Sequence, residues 1–248
     1  MNTKLFDITF SNMSEDKIIM EFRNVLSTDK KLFIHTVNVD HIIRSKRDVE
    51  FRKVMDSAHI ITPDGMPIVV TSKLKKGGIK ERVTGADLTI ELLKNNCNSF
   101  NVYLLGAAPG VAEKAKALAH ATYENANVVG TYSPSRTEVL SEVDSEKIID
   151  KINSSGANCL LVALGSPLQE EWISKNIQKL NTQINIGVGA SIDFVAGVQR
   201  RAPAYIQKIG FEWLHRLLSN PKRMFNRYIV TGASFLPILI TELIKKEK

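Results

Sequence analysis

The residues able to do chemistry lie at the ends of apolar runs. Residues 58–61 are apolar and β-branched enough for a buried strand, and Thr62-Pro63-Asp64-Gly65 breaks it before a helix-like stretch from Met66. The Asp64 carboxylate is thereby placed in a tight turn at the C-terminal edge of a strand. Open parallel sheets bind their ligands at that edge, and a carboxylate there can take a proton. A Pro-Asp-Gly triplet equally suits an aspartate that only closes its own turn. Other strand ends carry loops of small and polar residues: Thr36 and Asn38, Gly106 and Gly110, Tyr132, Gly165 and Gln169, Gly189 and Asp193. If the strands are parallel, these loops share one rim.

The chemistries the chain lacks are also informative. It has no Walker A sequence, no H-E-x-x-H, no Cys/His metal cluster, no G-x-S-x-G and no Asp-x-Asp. Gly187-Val188-Gly189-Ala190-Ser191-Ile192 starts like a dinucleotide fingerprint. However, Ile192 stands where the third glycine belongs and the stretch follows the last strand, which excludes NAD. Gly106 to Gly110, ahead of a helix, could aim backbone N–H groups at a diphosphate or be an ordinary turn. A leaving diphosphate would have to be neutralised by backbone dipoles and cations. The candidates are Arg82 in the core and Arg200, Arg201, Arg216, Arg223 and Arg227 in the tail, with Arg82 equally able to pair locally with Asp87. The five histidines show no pairing pattern, and His35 and His59 read as satisfied core residues.

The positioning elements follow from periodicity. Strands are predicted at residues 4–10, 32–38, 58–61, 102–105, 127–130, 159–164 and 184–188. Helices fall over 14–26, 40–55, 66–75, 111–121, up to about 152, and 168–180. Strands alternating with amphipathic helices imply an α/β domain, a Rossmann-like, mostly parallel sheet with helices on both faces. It spans residues 1–197. Residues 198–248 form a helical C-terminal appendage in which the strands stop.

The 248 residues carry a net charge of +7, and all of the excess lies in the appendage. Residues 1–197 hold 23 basic and 23 acidic side chains; residues 198–248 hold ten and three. The partners of such a tail are an anionic membrane surface or nucleic acid. Its uncharged run, residues 228–241, is 14 residues long, short of the ~20 a spanning helix needs. A basic, amphipathic tail lying in the membrane interface fits it, as does a tail packed on the core or on another subunit. Two distant cysteines, Cys97 and Cys159, and an N-terminus without an apolar h-region lead to the expectation of a cytoplasmic protein.

The ordered set Thr36-x-Asn38, Pro63-Asp64-Gly65, Arg82-x-x-Gly85-x-Asp87, Gly165-x-Pro167-x-Gln169-Glu170, Gly187-Val188-Gly189-Ala190-x-x-Asp193-x-x-Ala196-Gly197-x-x-x-Arg201-Ala202-Pro203 and Glu212-Trp213-Leu214-x-Arg216 resembles the WecG/TagA/CpsF family of glycosyltransferases, from about residue 3 to about residue 228. The likeness is to its N-acetylmannosaminyltransferase branch, in wall teichoic acid synthesis. It implies inverting transfer of N-acetylmannosamine from UDP-ManNAc to undecaprenyl-diphosphate-GlcNAc. The enzyme would be peripheral on the cytoplasmic face of the membrane, with no cofactor, no metal and no nucleic acid. The oligomeric state stays open, a homo-oligomer included.

By the same resemblance, Asp64 is the base, with Thr36, Asn38, Arg82 and Gln169 around it. Gly106, Gly110, Tyr132, Gly187, Gly189 and Asp193 serve the nucleotide sugar, and Arg201, Arg216, Arg223 and Arg227 the lipid diphosphate. The alternatives are another donor (UDP-ManNAcA or UDP-glucose), a methyltransferase on the same fold, and a nucleic-acid-binding module using the basic tail.

Overall fold

The computed structural model describes residues 2–94, 99–208, 210–219 and 221–245, and within the C-terminal helices only the backbone of residues 204, 208, 216, 219 and 222–230. Two short strands, β1 (Asn2–Leu5) and β2 (Ile8–Ser11), precede α1 (Glu15–Val25). Then come β3 (Leu32–Val37), α2 (Val39–Arg47), α3 (Val49–Asp56), β4 (Ile60–Pro63), α4 (Met66–Leu74) and α5 (Gly85–Lys94). The second half runs β5 (Val102–Gly106), α6 (Val111–Thr122), β6 (Val128–Tyr132), α7 (Arg136–Leu140), α8 (Glu142–Ser154), β7 (Cys159–Ala163), α9 (Leu168–Asn176), β8 (Ile184–Gly187) and α10 (Ser191–Val195). The tail contributes α11 (Ala204–Lys208), α12 (Glu212–Ser219) and α13 (Pro221–Ile244).

Six strands form one parallel sheet in the order β4-β3-β8-β7-β5-β6. Side chains alternate across it, as the two-residue period of a strand requires. Leu32, Ile34, Leu104, Leu161 and Ile186 face α1, α5, α6 and α10. Phe33, Tyr103, Leu105, Leu160 and Val162 face α8 and α9. Both faces are covered, which is why these strands read as continuous apolar runs. Cys159 is a buried free thiol within the first of these layers.

Two expectations need correction. Residues 4–10 do not form one strand. They make the β1–β2 hairpin, whose turn residues Phe6 (φ 56°) and Asp7 (φ 65°) both lie in the left-handed region, the signature of a type I′ turn. Phe6 is poorly suited to that backbone, but its ring is fully buried against Phe235 of α13, 5.5 Å between centroids. The helix expected over 40–55 breaks at Asp48, which closes α2 and caps α3 by accepting the Phe51 N–H at 2.9 Å. The helical appendage opens with two short helices, α11 and α12.

The third apolar cluster joins the hairpin (Leu5, Phe6, Ile8, Phe10) to Val37, Ile42, Phe51, Ile61 and Ile68, and Phe235 of α13 belongs to it. The tail is thus packed on the core through α13. Among the described residues no helix is long and apolar enough to cross a membrane.

Candidate active site

Parallel pairing puts the C-terminal ends of all six strands on one rim. β3 continues into α2, on the α9 side of the sheet, whereas its neighbour β8 continues into α10, on the opposite face. Such divergence opens a crevice between two strand ends.

Asp64 follows β4 there. Its backbone N–H donates to the Val37 carbonyl at 2.7 Å, so the turn is an extension of the β3–β4 ladder. The segment carrying Arg82 is fastened to the same strand: Val83 N–H donates to Pro63 O (3.1 Å), and Thr62 Oγ1 donates to Val83 O (3.0 Å). A buried threonine at the end of β4 therefore sets Arg82 beside Asp64. Asn38 caps α2. Its Oδ1 accepts the His41 N–H and its own N–H donates to His41 Nδ1, both at 3.2 Å, a reciprocal capping box.

These three residues line a cavity of about 380 Å³ together with Asp40, Met66, Glu212, Trp213, Thr231 and Phe235. The tail supplies four of those side chains. Arg82 does not pair with Asp87. Its guanidinium donates to Glu212 Oε2 at 3.0 Å, and Asp87 instead takes Arg201 at 2.6 Å. Arg201 Nε also lies 3.7 Å from Glu212 Oε1, so two carboxylates already neutralise the Arg201 charge. Across the same boundary, Thr231 donates to Asp40 at 2.7 Å.

Thr36 and Gln169 do not line this cavity. Both are buried behind the rim: Thr36 Oγ1 donates to Gly187 O at 3.3 Å, and Gln169 Oε1 accepts the Gly189 N–H at 3.2 Å. They shape the β8 loop rather than the cavity wall. Gly106, Gly110 and Tyr132 sit at the ends of β5 and β6. β5 is three strands from β3, about 14 Å at ~4.8 Å per strand. Gly106 has φ 106°, and a Cβ there would come within 2.5 Å of the Ala163 carbonyl, so the fold itself demands glycine. The Tyr132 ring is covered by Lys151 Nζ at 3.7 Å from its centroid, and its hydroxyl donates to Glu138, which raises the phenol's pKa. Asp193 is half-buried in the first turn of α10. Arg216, Arg223 and Arg227 fall on α12 and α13, with side chains outside the described residues.

Sequence reasoning missed two features. Glu212 and Trp213 line the cavity, and their only signal was a place in the tail motif. The histidines do pair: the rings of His35 and His41 lie 4.9 Å apart beside buried Glu170. His35 is not a satisfied core residue, since neither ring nitrogen has a hydrogen-bond partner among the described residues. Burial first, and His41 second, hold its pKa well below that of an ordinary histidine. The spacing Asn38-x-x-His41 was the legible hint of the capping box.

The crevice, the carboxylate on its rim and the adjacent guanidinium suit attack of a hydroxyl on an electrophilic sugar carbon. Similarity to known proteins agrees. Over 224 residues, 90% of this chain and 82% of its relative, the sequence is 30% identical to the N-acetylglucosaminyldiphosphoundecaprenol N-acetyl-beta-D-mannosaminyltransferase of Bacillus spizizenii. It is 26% identical over 229 residues, 90% of this chain and 88% of its relative, to the protein of that name in Staphylococcus aureus. With the family's sequence profile matching residues 3–248, the chain belongs to the WecG/TagA/CpsF family of glycosyl transferases.

Proposed function

We propose that this glycosyltransferase moves N-acetylmannosamine from UDP-ManNAc to GlcNAc-diphosphoundecaprenol with inversion, Asp64 acting as general base. The observation that carries the reading is the position of Asp64: half-buried on the sheet's C-terminal rim, in one cavity with Asn38 and Arg82, in a chain similar to two transferases of that name. Asp64 takes the proton of the acceptor hydroxyl as that oxygen attacks the anomeric carbon. The bond from that carbon to the diphosphate oxygen breaks, and UDP leaves. A placed carboxylate base contributes typically ~10²–10⁴-fold.

The described charges of the cavity do not suffice for the diphosphates. Asp40, Asp64 and Glu212 face a single guanidinium, Arg82, which Glu212 already holds. We therefore assign the remaining positive charge to Arg216, Arg223 and Arg227 of the tail, which also gives the tail its affinity for an anionic membrane on the cytoplasmic side. Residues 1–197 are then the donor-binding core and 198–248 the membrane-associating appendage.

The experiment is UDP release from UDP-ManNAc with and without a short-chain lipid-diphosphate-GlcNAc acceptor. Acceptor-dependent release is expected. Release only from UDP-glucose or UDP-ManNAcA would move the donor assignment, and failure to bind UDP would overturn the reading.

A further inference from the structure

Directly behind the rim lies a polar cluster that the proposed chemistry leaves without a role. His35 of β3, His41 of α2 and Glu170 of α9 are 1%, 5% and 1% exposed. Glu170 Oε1 stands 3.9 Å from Nε2 of each histidine. The same oxygen accepts a 2.7 Å hydrogen bond from Gln169 Nε2, while Gln169 Oε1 accepts the Gly189 N–H. On the other side, His41 is locked to Asn38 by the reciprocal capping bonds. One buried carboxylate thus stands between a residue that holds the β8 loop and a residue that lines the cavity.

Two His and one Glu could suggest a metal centre, but the geometry argues against it. Glu170 Oε1 stands 3.9 Å from Nε2 of each histidine, whereas bonds of 2.0–2.1 Å in a tetrahedral site bring ligand atoms to about 3.4 Å. His41 Nδ1 also accepts a backbone N–H, which places the ring proton on Nε2 and removes the lone pair a metal would take. That Nε2–H faces Glu170 instead.

Nor is the cluster a stabilising device. Glu170 Oε2 has no hydrogen-bond partner among the described residues, and a buried carboxylate so poorly satisfied costs stability that an apolar side chain would not. What it does supply is direction. The two ends of a glutamine amide are nearly the same size, and a neighbour restricted to accepting or to donating dictates which end it meets. A carboxylate draws the NH₂ of Gln169 and so turns its oxygen to the Gly189 N–H. Gly187 leaves the room this needs: a Cβ there would lie 2.9 Å from Gln169 Nε2 and 3.3 Å from Glu170 Oε1.

We propose that Glu170 is a positioning residue, which fixes the amide orientation of Gln169, and with it the β8 loop, for transfer at the rim. The proposal rests on reading that rim as the active site. The test compares Glu170→Met and Glu170→Gln in the full chain by thermal melting, by kcat and KM for the donor, and by the side-chain amide resonances of Gln169, assigned through Gln169→Glu.

Glu170→Met should melt at or above the temperature of the parent, shift the Gln169 amide resonances and lose ~10–100-fold in kcat, the size of effect a small misplacement produces. Glu170→Gln, whose amide oxygen can still accept from Gln169, should keep both the resonances and kcat within a few-fold. A Glu170→Met protein with unchanged kcat and resonances overturns the proposal. So does a Glu170→Gln protein as impaired as Glu170→Met. If the parent does not turn over UDP-ManNAc, the reading of the activity fails, and the amide resonances of the two variants still decide whether Glu170 orients Gln169.

Discussion

Arg82 and Glu212, 130 residues apart in the chain, meet at 3.0 Å on the wall of the cavity that Asp64 lines. The pair is largely buried, with side chains 14% and 7% exposed, and Arg201 adds a second cation to the same glutamate. Removing one member of such a pair leaves the other as an uncompensated buried charge. Glu212→Met should therefore cost ~3–5 kcal/mol of stability, and Arg82→Met with Glu212→Met together should cost less than the single changes added. Urea denaturation of the four proteins measures this. Strict additivity would mean that the two residues do not interact in solution.

Asp64→Asn keeps the size and turn-forming ability of the side chain and removes its basicity. Turnover should fall by ~10²–10⁴-fold while UDP affinity and melting temperature stay close to those of the parent. Calorimetry with UDP beside the release assay makes the comparison. A variant that keeps most of its rate removes Asp64 as base.

Phe235 is 7% exposed and packs on Phe6, whose left-handed backbone makes its burial the more necessary. Phe235→Ala should cost ~3–5 kcal/mol, and the melting curve of the whole chain should register it, because α13 shares a core cluster with β1, β2 and α2. Exposed Leu236, Ile240, Leu243 and Ile244 lie on the same helix. Flotation with anionic vesicles should be lost when residues 198–248 are removed; flotation of the truncated chain would place membrane binding elsewhere.

Glu15, at the start of α1, has its pKa raised to about 7, first by burial and then by Asp87, Glu91 and Glu81. The folded state therefore holds this proton more tightly than the unfolded chain does, and unfolding releases it between pH 4.5 and about 7. The contribution of Glu15 to stability falls as pH rises through that window. Glu15→Gln should raise the melting temperature at pH 8 and leave it nearly unchanged at pH 4.5. An equal effect at both pH values would show that the carboxylate is ordinary.

Much of this was legible in the linear chain. The turn after residue 61, the small residues at successive strand ends and the two-sided apolar strands placed Asp64, Asn38 and Gly189 on one edge, because a parallel sheet aligns all its C-terminal ends. The start of α1 is equally local, set by the Ser14 side chain, which accepts the Lys17 N–H. The charge asymmetry marked residues 198–248 before any fold was known.

Partner choice was a different matter. Arg82 had Asp87 five residues away and pairs with Glu212; Asp87 takes Arg201; and Glu170, His35 and His41 converge from three separate elements. Each of those contacts joins segments whose approach depends on how helices lie across the sheet, and a charged side chain pairs with whatever opposite charge that packing brings within reach. Residue types and spacing determine the rim and what could stand on it, through local backbone preferences and the strand period. Which groups are neutralised, which are buried without partners and which tail residues close the cavity are decided only in three dimensions.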